Sequence, residues 1–121
     1  MIGEIDSLYD DSPHDDLIYQ AGNYYSDKRI AENNARADTL LRKLRRFAVE
    51  HRKKKLDWNN GNQIKYSICF NHITNRLEHS IVNYRRSFGT IYFDSEETTF
   101  AAIEEFKDEL IWYFTEYKDS L

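Results

Sequence analysis

Cysteine, proline and glycine are all scarce in this chain, and each scarcity excludes something. A lone cysteine, Cys69, rules out an internal disulfide, so the fold must hold by packing, and a reducing cytoplasmic setting is the simplest expectation. The four glycines form no phosphate-cradling loop, and neither a nucleophile elbow nor a paired Cys and His of recognisable spacing is present. No stretch approaches the roughly 18 apolar residues of a membrane span, and Met1-Ile2-Gly3-Glu4-Ile5-Asp6 has neither a basic opening nor an apolar run. A soluble intracellular protein is therefore expected, without a membrane partner. Bases are missing altogether from residues 1–27, which hold seven acids.

What is present is charge sorted into blocks. After that first block of net −7, residues 28–55 carry eleven Lys or Arg against Glu32, Asp38 and Glu50, net +8. Residues 56–93 are mildly basic, and 94–121 hold nine acids against Lys107 and Lys118, again net −7. An overall charge of −4 thus hides a basic middle between two acidic ends. Such blocks bear on association rather than on fold. At 121 residues with 15% aromatics the chain can bury one core. The division expected is an acidic N-terminal segment over 1–26 and a single α+β domain over 27–121.

The hydrophobic pattern changes period along the chain. Beyond a mixed segment around Pro13, with a short helix expected near 15–22, Ser26 or Asp27 can cap a long helix reaching about Lys54. Ile30, Ala37, Leu40, Leu41, Leu44, Phe47 and Ala48 form its apolar stripe. Asn59-Asn60-Gly61-Asn62 breaks the chain. Ile64, Tyr66, Ile68 and Phe70 then alternate with Lys65, Ser67, Cys69 and Asn71 as a half-buried strand. A polar turn over 71–75 leads to a strand at 76–84, and Ser87-Phe88-Gly89 to a third at 90–93. Asp94 and Glu97 have capping-box spacing. Phe100, Ile103, Phe106, Leu110, Ile111, Phe114 and Tyr117 form the apolar face of one helix lasting to about Lys118. The architecture expected is α-β-β-β-α: a three-stranded antiparallel meander flanked by a long N-terminal helix and a C-terminal helix.

Candidate chemistry is thin. Cys69, His72 and His79 are the strongest metal constellation, but Cys-x2-His with one distant His lacks the second ligand pair of a zinc site, so no metal or cofactor is expected. Asp15 with Asp16, and Glu104 with Glu105, are adjacent acids that point about 100° apart on a helix, which suits solvated surface better than acid–base work. Enzyme activity is not expected. Binding has two candidate surfaces. Glu96, Glu97, Glu104, Glu105, Asp108, Glu109 and Glu116 spread carboxylates over the outer arc of the C-terminal helix, an array able to imitate phosphates toward a nucleic-acid-binding protein. Arg36, Arg42, Lys43, Arg45, Arg46, Arg52 and Lys53, with Lys54 and Lys55, line the back of the long helix, where they could follow a nucleic-acid backbone or stand as a solvated face paired with the acidic ends. Tyr9, Tyr19, Tyr24 and Tyr25 among acids would suit a protein interface.

The helix–sheet–helix order is similar to the double-stranded RNA-binding domain, whose last helix begins with bases that lie on phosphates. Here Ser95-Glu96-Glu97 stands at that position, with no Lys or Arg before Lys107, so that mode is excluded. A closer resemblance runs through Phe88-Gly89-Thr90-Ile91-Tyr92-Phe93, Ser95-Glu96-Glu97, Ala102-Ile103-Glu104-Glu105-Phe106-Lys107-Asp108-Glu109-Leu110 and Tyr113-Phe114-Thr115-Glu116-Tyr117. With Leu56-Asp57-Trp58-Asn59 and Ile64-Lys65-Tyr66-Ser67-Ile68, this half of the chain resembles a recurrent set of small uncharacterised proteins encoded by phages and prophages. No functional residue carries over from that set. What the resemblance implies is context, since small acidic phage proteins often inhibit host defence systems, CRISPR nucleases among them, in the host-cell cytoplasm.

Two functions and one assembly follow as expectations. The first is a non-enzymatic inhibitor that engages a host nucleic-acid-handling defence enzyme or nuclease complex through the acidic face. The second is a nucleic-acid-binding protein using the basic helix, 36–55. A homo-oligomer in which the basic helix of one copy meets the acidic helix of the next is a third arrangement, marked by dissociation at high salt.

Overall fold

The computed structural model describes residues 21–117, with side chains described from residue 27 on. The element order is α1 (Ala21–Glu50), β1 (Lys65–Asn71), β2 (Arg76–Val82), α2 (Glu96–Glu105) and α3 (Lys107–Thr115). By compactness, residues 38–117 form one unit, and residues 1–37 with 118–121 form another, of which 21–37 are described. The short helix expected near 15–22 lies almost wholly outside the described residues.

The apolar stripe of α1 is where its spacing puts it. Ala37, Leu40, Leu44 and Ala48 are buried, while Leu41 and Phe47 are half-buried beside them. Within the 38–117 unit, Leu40, Leu44 and Ala48 meet Phe93, Ala102 and Leu110 in one core, flanked by Phe47, Tyr66, Ile68, Leu77, Ile91 and Phe106. The helix stops at Glu50, earlier than the expected Lys54, because the chain is captured there. The backbone N–H groups of Lys53 and Lys54 donate to one carboxylate oxygen of Asp94, at 2.8 and 3.0 Å.

β1 and β2 form an antiparallel hairpin in which Lys65 lies opposite Val82 and Asn71 opposite Arg76. The turn between them follows from its residues. The side-chain oxygen of Asn71 accepts from the Ile73 and Thr74 N–H groups at 2.9 and 3.2 Å, and Asn75 takes the left-handed conformation at φ 59° that asparagine tolerates.

The expected three-stranded meander is not formed. The sheet has two strands, and residues 90–93 contribute only an isolated bridge, Tyr66 with Phe93, made by two backbone bonds of 3.0 and 2.7 Å. Competing contacts draw this segment off the sheet. Ile91 packs on the core, and the Tyr92 hydroxyl closes its own loop by accepting from the Ser87 N–H at 2.8 Å. The Tyr92 ring meets Trp58 edge-on at 4.8 Å.

The single C-terminal helix is likewise replaced by two. Phe106, at φ −114° and ψ 24°, separates α2 from α3 and seats its ring edge-on against Phe47 of α1, 5.7 Å between centroids. The hydrogen bonds run on through the break, Phe106 N–H to the Ala102 carbonyl at 3.0 Å and Leu110 N–H to the Phe106 carbonyl at 2.9 Å. It is therefore a bend in the backbone rather than a gap. Two residues assigned to the apolar face, Phe100 and Ile111, stand 47% and 37% exposed. Ala102, Thr98 and Thr99 are buried in their place.

Lys65 shows why the period-two reading of β1 fails. Alternation places it in water, yet it is fully buried. Its ammonium donates to the carbonyls of Asn60 and Asn83 at 3.1 and 2.8 Å and lies 5.0 Å from the Trp58 ring centre. Loop residues thus cover this end of the second sheet face, while α2 packs against the two strands. A buried ammonium is tolerable only with such partners.

Candidate functional site

The acidic residues singled out from sequence fall on α2, on α3 and at the α3 terminus. Ser95, rather than Asp94, caps α2. Its hydroxyl accepts from the Thr98 N–H at 3.1 Å and bonds the Thr98 hydroxyl at 2.8 Å, so the expected Asp94–Glu97 capping box is replaced by a Ser95–Thr98 pair. Glu96 and Glu97 open the helix where its exposed N–H groups favour negative charge. Glu96 sits 3.2 Å from Nε2 of His79 on β2, whose ring meets Phe100 edge-on at 5.1 Å. Glu97 lies 3.9 Å from the Lys53 ammonium, both side chains well exposed, a geometry of little energetic weight.

Glu104, Glu105, Asp108 and Glu116 are exposed and have no ion-pair partner among the described residues. Glu109 is half-buried. Exposed positions recur at Glu97, Ala101, Glu104, Asp108 and Ile111, steps of three and four that trace a stripe on a helical surface. The outer face of α2 and α3 is therefore acidic with apolar islands at Phe100 and Ile111, and Lys107 is the base within it.

The basic residues are less united. Arg42, Lys43, Arg45 and Arg46 are exposed on the last turns of α1. Arg42 donates to the Thr39 hydroxyl at 3.3 Å, and Arg46 lies 4.0 Å from Glu50. Arg36 belongs to the other unit. Arg52 and Lys53 lie beyond the end of α1, with Arg52 half-buried. Tyr9 and Tyr19 lie outside the described residues, and the side chains of Tyr24 and Tyr25 lie outside the described side chains.

Cys69 and His79 sit on opposite faces of the hairpin, because Cys69 is opposite Glu78 and Ile68 opposite His79. Among the described residues no three His, Cys, Asp or Glu side chains gather as a metal site. Burial pushes the Cys69 thiol up from its usual value, and the Glu78 carboxylate adds to this. Among the described residues no helix is long and apolar enough to cross a membrane.

No protein family, curated protein or solved structure is matched by this chain. Sequence reasoning missed the Asp94 clamp and the buried Lys65, both of which pair with backbone far along the chain. It also missed the approach of His79 to Glu96, for which the acidic helix start was the one available signal.

Proposed function

We propose that this chain is a non-enzymatic interaction protein whose α2–α3 face binds a nucleic-acid-handling protein of a phage-infected host, in the manner of an anti-CRISPR inhibitor. The observation that carries the reading is the set of exposed carboxylates at Glu104, Glu105 and Asp108, without an ion-pair partner among the described residues and flanked by the exposed apolar side chains of Phe100 and Ile111. Carboxylates alone attract any basic surface. Apolar contacts beside them supply the buried area that a specific protein interface needs.

The test is an affinity capture from nuclease-treated bacterial lysate with the wild-type chain beside Glu104→Lys, Glu105→Lys, Asp108→Lys. A stoichiometric partner retained by the wild type and lost by the triple variant, whose circular dichroism is unchanged, is the expected result. Equal retention by both would sink the reading. The exposed cluster Arg42, Lys43, Arg45 and Arg46 supports nucleic-acid binding as the second reading. That reading requires affinity falling steeply with salt and lost on Arg42→Glu, Arg45→Glu, Arg46→Glu.

A further inference from the structure

An apolar cavity of about 180 Å3 lies within the 38–117 unit, walled among the described residues by Leu41 and Leu44 of α1, Ile68 of β1, Ile91, and Leu110 and Phe114 of α3. Gly89 and Thr90 also border it, and the residue before them, Phe88, is wholly exposed at 106% of its reference area. An unfilled apolar hole and a phenyl ring standing in water are thus neighbours on one surface. Their sizes correspond, since an apolar cavity of about 150 Å3 takes up benzene. The rim is open at Gly89, where φ is +78° and no atom lies within 4 Å of the place a Cβ would occupy.

We propose that the chain forms a two-fold dimer in which Phe88 of each copy enters this cavity of the other. Because anchor and receptor are adjacent, a single contact about a two-fold axis satisfies both insertions and closes the assembly. Charge supports the same docking. Arg85 and Arg86, both exposed, lie three and two residues before the anchor, Arg86 with its guanidinium 5.5 Å from the Trp58 ring centre. Tyr113, which also lines the cavity, shares its helical stripe with Glu109 four residues before it and Glu116 three after. The docked turn of one copy therefore brings the exposed Arg85 toward the exposed Glu116 of the other, and the reverse. On the α1 side, Asp38 and Arg45 flank Leu41 and offset each other. Asp108 lies about 200° around α3 from Leu110 and no residue of α2 lines the cavity, so the dimer contact leaves Glu104, Glu105 and Asp108 accessible while it engages Glu116.

Sedimentation velocity on the full chain over a concentration series tests this. The wild type should dimerise, and Phe88→Ala should weaken the dimer by about 30-fold per anchor, about a thousandfold for the two. Leu41→Trp, which fills the cavity from within, should do the same. An equimolar mixture of the two variants should recover a dimer with one insertion, about 30-fold weaker than wild type. If Leu41→Trp unsettles α1, saturating benzene added to the wild type tests the cavity without mutation and should drive the dimer to monomer. A wild type that stays monomeric, a Phe88→Ala dimer as tight as wild type, or a dimer indifferent to benzene would each overturn the proposal. So would a dimer that survives Phe88→Ala and dissolves in the triple Lys variant of the acidic face, which would place the contact on α2 and α3.

Discussion

Replacing Asp94 with alanine should remove about 3 kcal/mol of stability, a figure worked from two hydrogen bonds. Asp94 is 3% exposed, and one of its oxygens accepts from the Lys53 and Lys54 N–H groups at 2.8 and 3.0 Å. A hydrogen bond to a charged acceptor contributes about 1.5–3 kcal/mol net, so the pair contributes ~3–6 kcal/mol. Truncation also relieves the burial of the carboxylate itself, which moves the expected loss to the lower end. For a chain of this size ~3 kcal/mol corresponds to a fall in Tm of about 10 °C. Burial pushes the Asp94 carboxyl up, but hydrogen bonding to the charged form, from the Lys53 and Lys54 N–H groups first and then from its own N–H and the Thr98 hydroxyl, outweighs this and holds the carboxyl below its usual 3.8. A folded-state value below the unfolded one means the contribution is complete above that usual value and is lost as pH falls through the lower folded value. Urea unfolding followed by tryptophan fluorescence should show a constant gap between wild type and Asp94→Ala from about pH 5 upward, narrowing in stronger acid as the charge-dependent part is lost. Asp94→Asn, which keeps an acceptor oxygen without the charge, should lie between the two. A loss under about 0.5 kcal/mol at neutral pH, the range of an ordinary surface change, or a gap that does not narrow in strong acid, would refute the clamp.

Three further outcomes rest on single contacts. Lys65→Met keeps the volume but leaves the Asn60 and Asn83 carbonyls without their donor, so a loss of about 2 kcal/mol is expected in urea melts; a more stable variant would show the ammonium to be a net burden. Ser95→Ala removes the α2 cap and should cost about 1 kcal/mol, read as a lowered denaturation midpoint at unchanged slope. Gly89→Ala meets no atom, so its expected loss of about 1 kcal/mol is purely the strain of φ +78°; Gly89→Asn should recover most of it, and equal losses in both would point to steric crowding instead.

Local signals in this chain were legible and remote ones were not. The α1 stripe through Ala37, Leu40, Leu44 and Ala48, the hairpin with its Asn71–Asn75 turn, and the acidic opening of the helix after Ser95 all follow from spacing and turn chemistry within a few residues. Thr90-Ile91-Tyr92-Phe93 has the composition of a strand, but its side chains find better partners in Trp58, the core and its own loop. A single helix was expected across Phe106 because the apolar period continues through it. The bend comes from where that ring packs, on Phe47, which periodicity does not encode. Lys65 and Asp94 are polar residues whose partners are backbone groups 5 to 41 residues away, and backbone carries no sequence signal. On the candidate site, the carboxylates of Glu104, Glu105 and Asp108 were legible as surface charge. The apolar islands at Phe100 and Ile111 were not, having the spacing of core.

The two-stranded sheet has a consequence for the behaviour of the protein at high concentration. Tyr66 bonds Phe93 through its own N–H and carbonyl, so those groups point away from β2. Antiparallel alternation then turns the backbone groups of Leu77, His79 and Ile81 to the far side of β2, where no described residue bonds them. A row of unpaired donors and acceptors beside an Ile81 that is 54% exposed is a template on which foreign strands can grow. What limits such growth is the charge of Arg76 and Glu78 along the strand. Neutralising those two side chains would turn this edge from a tolerated boundary into a seed for aggregation.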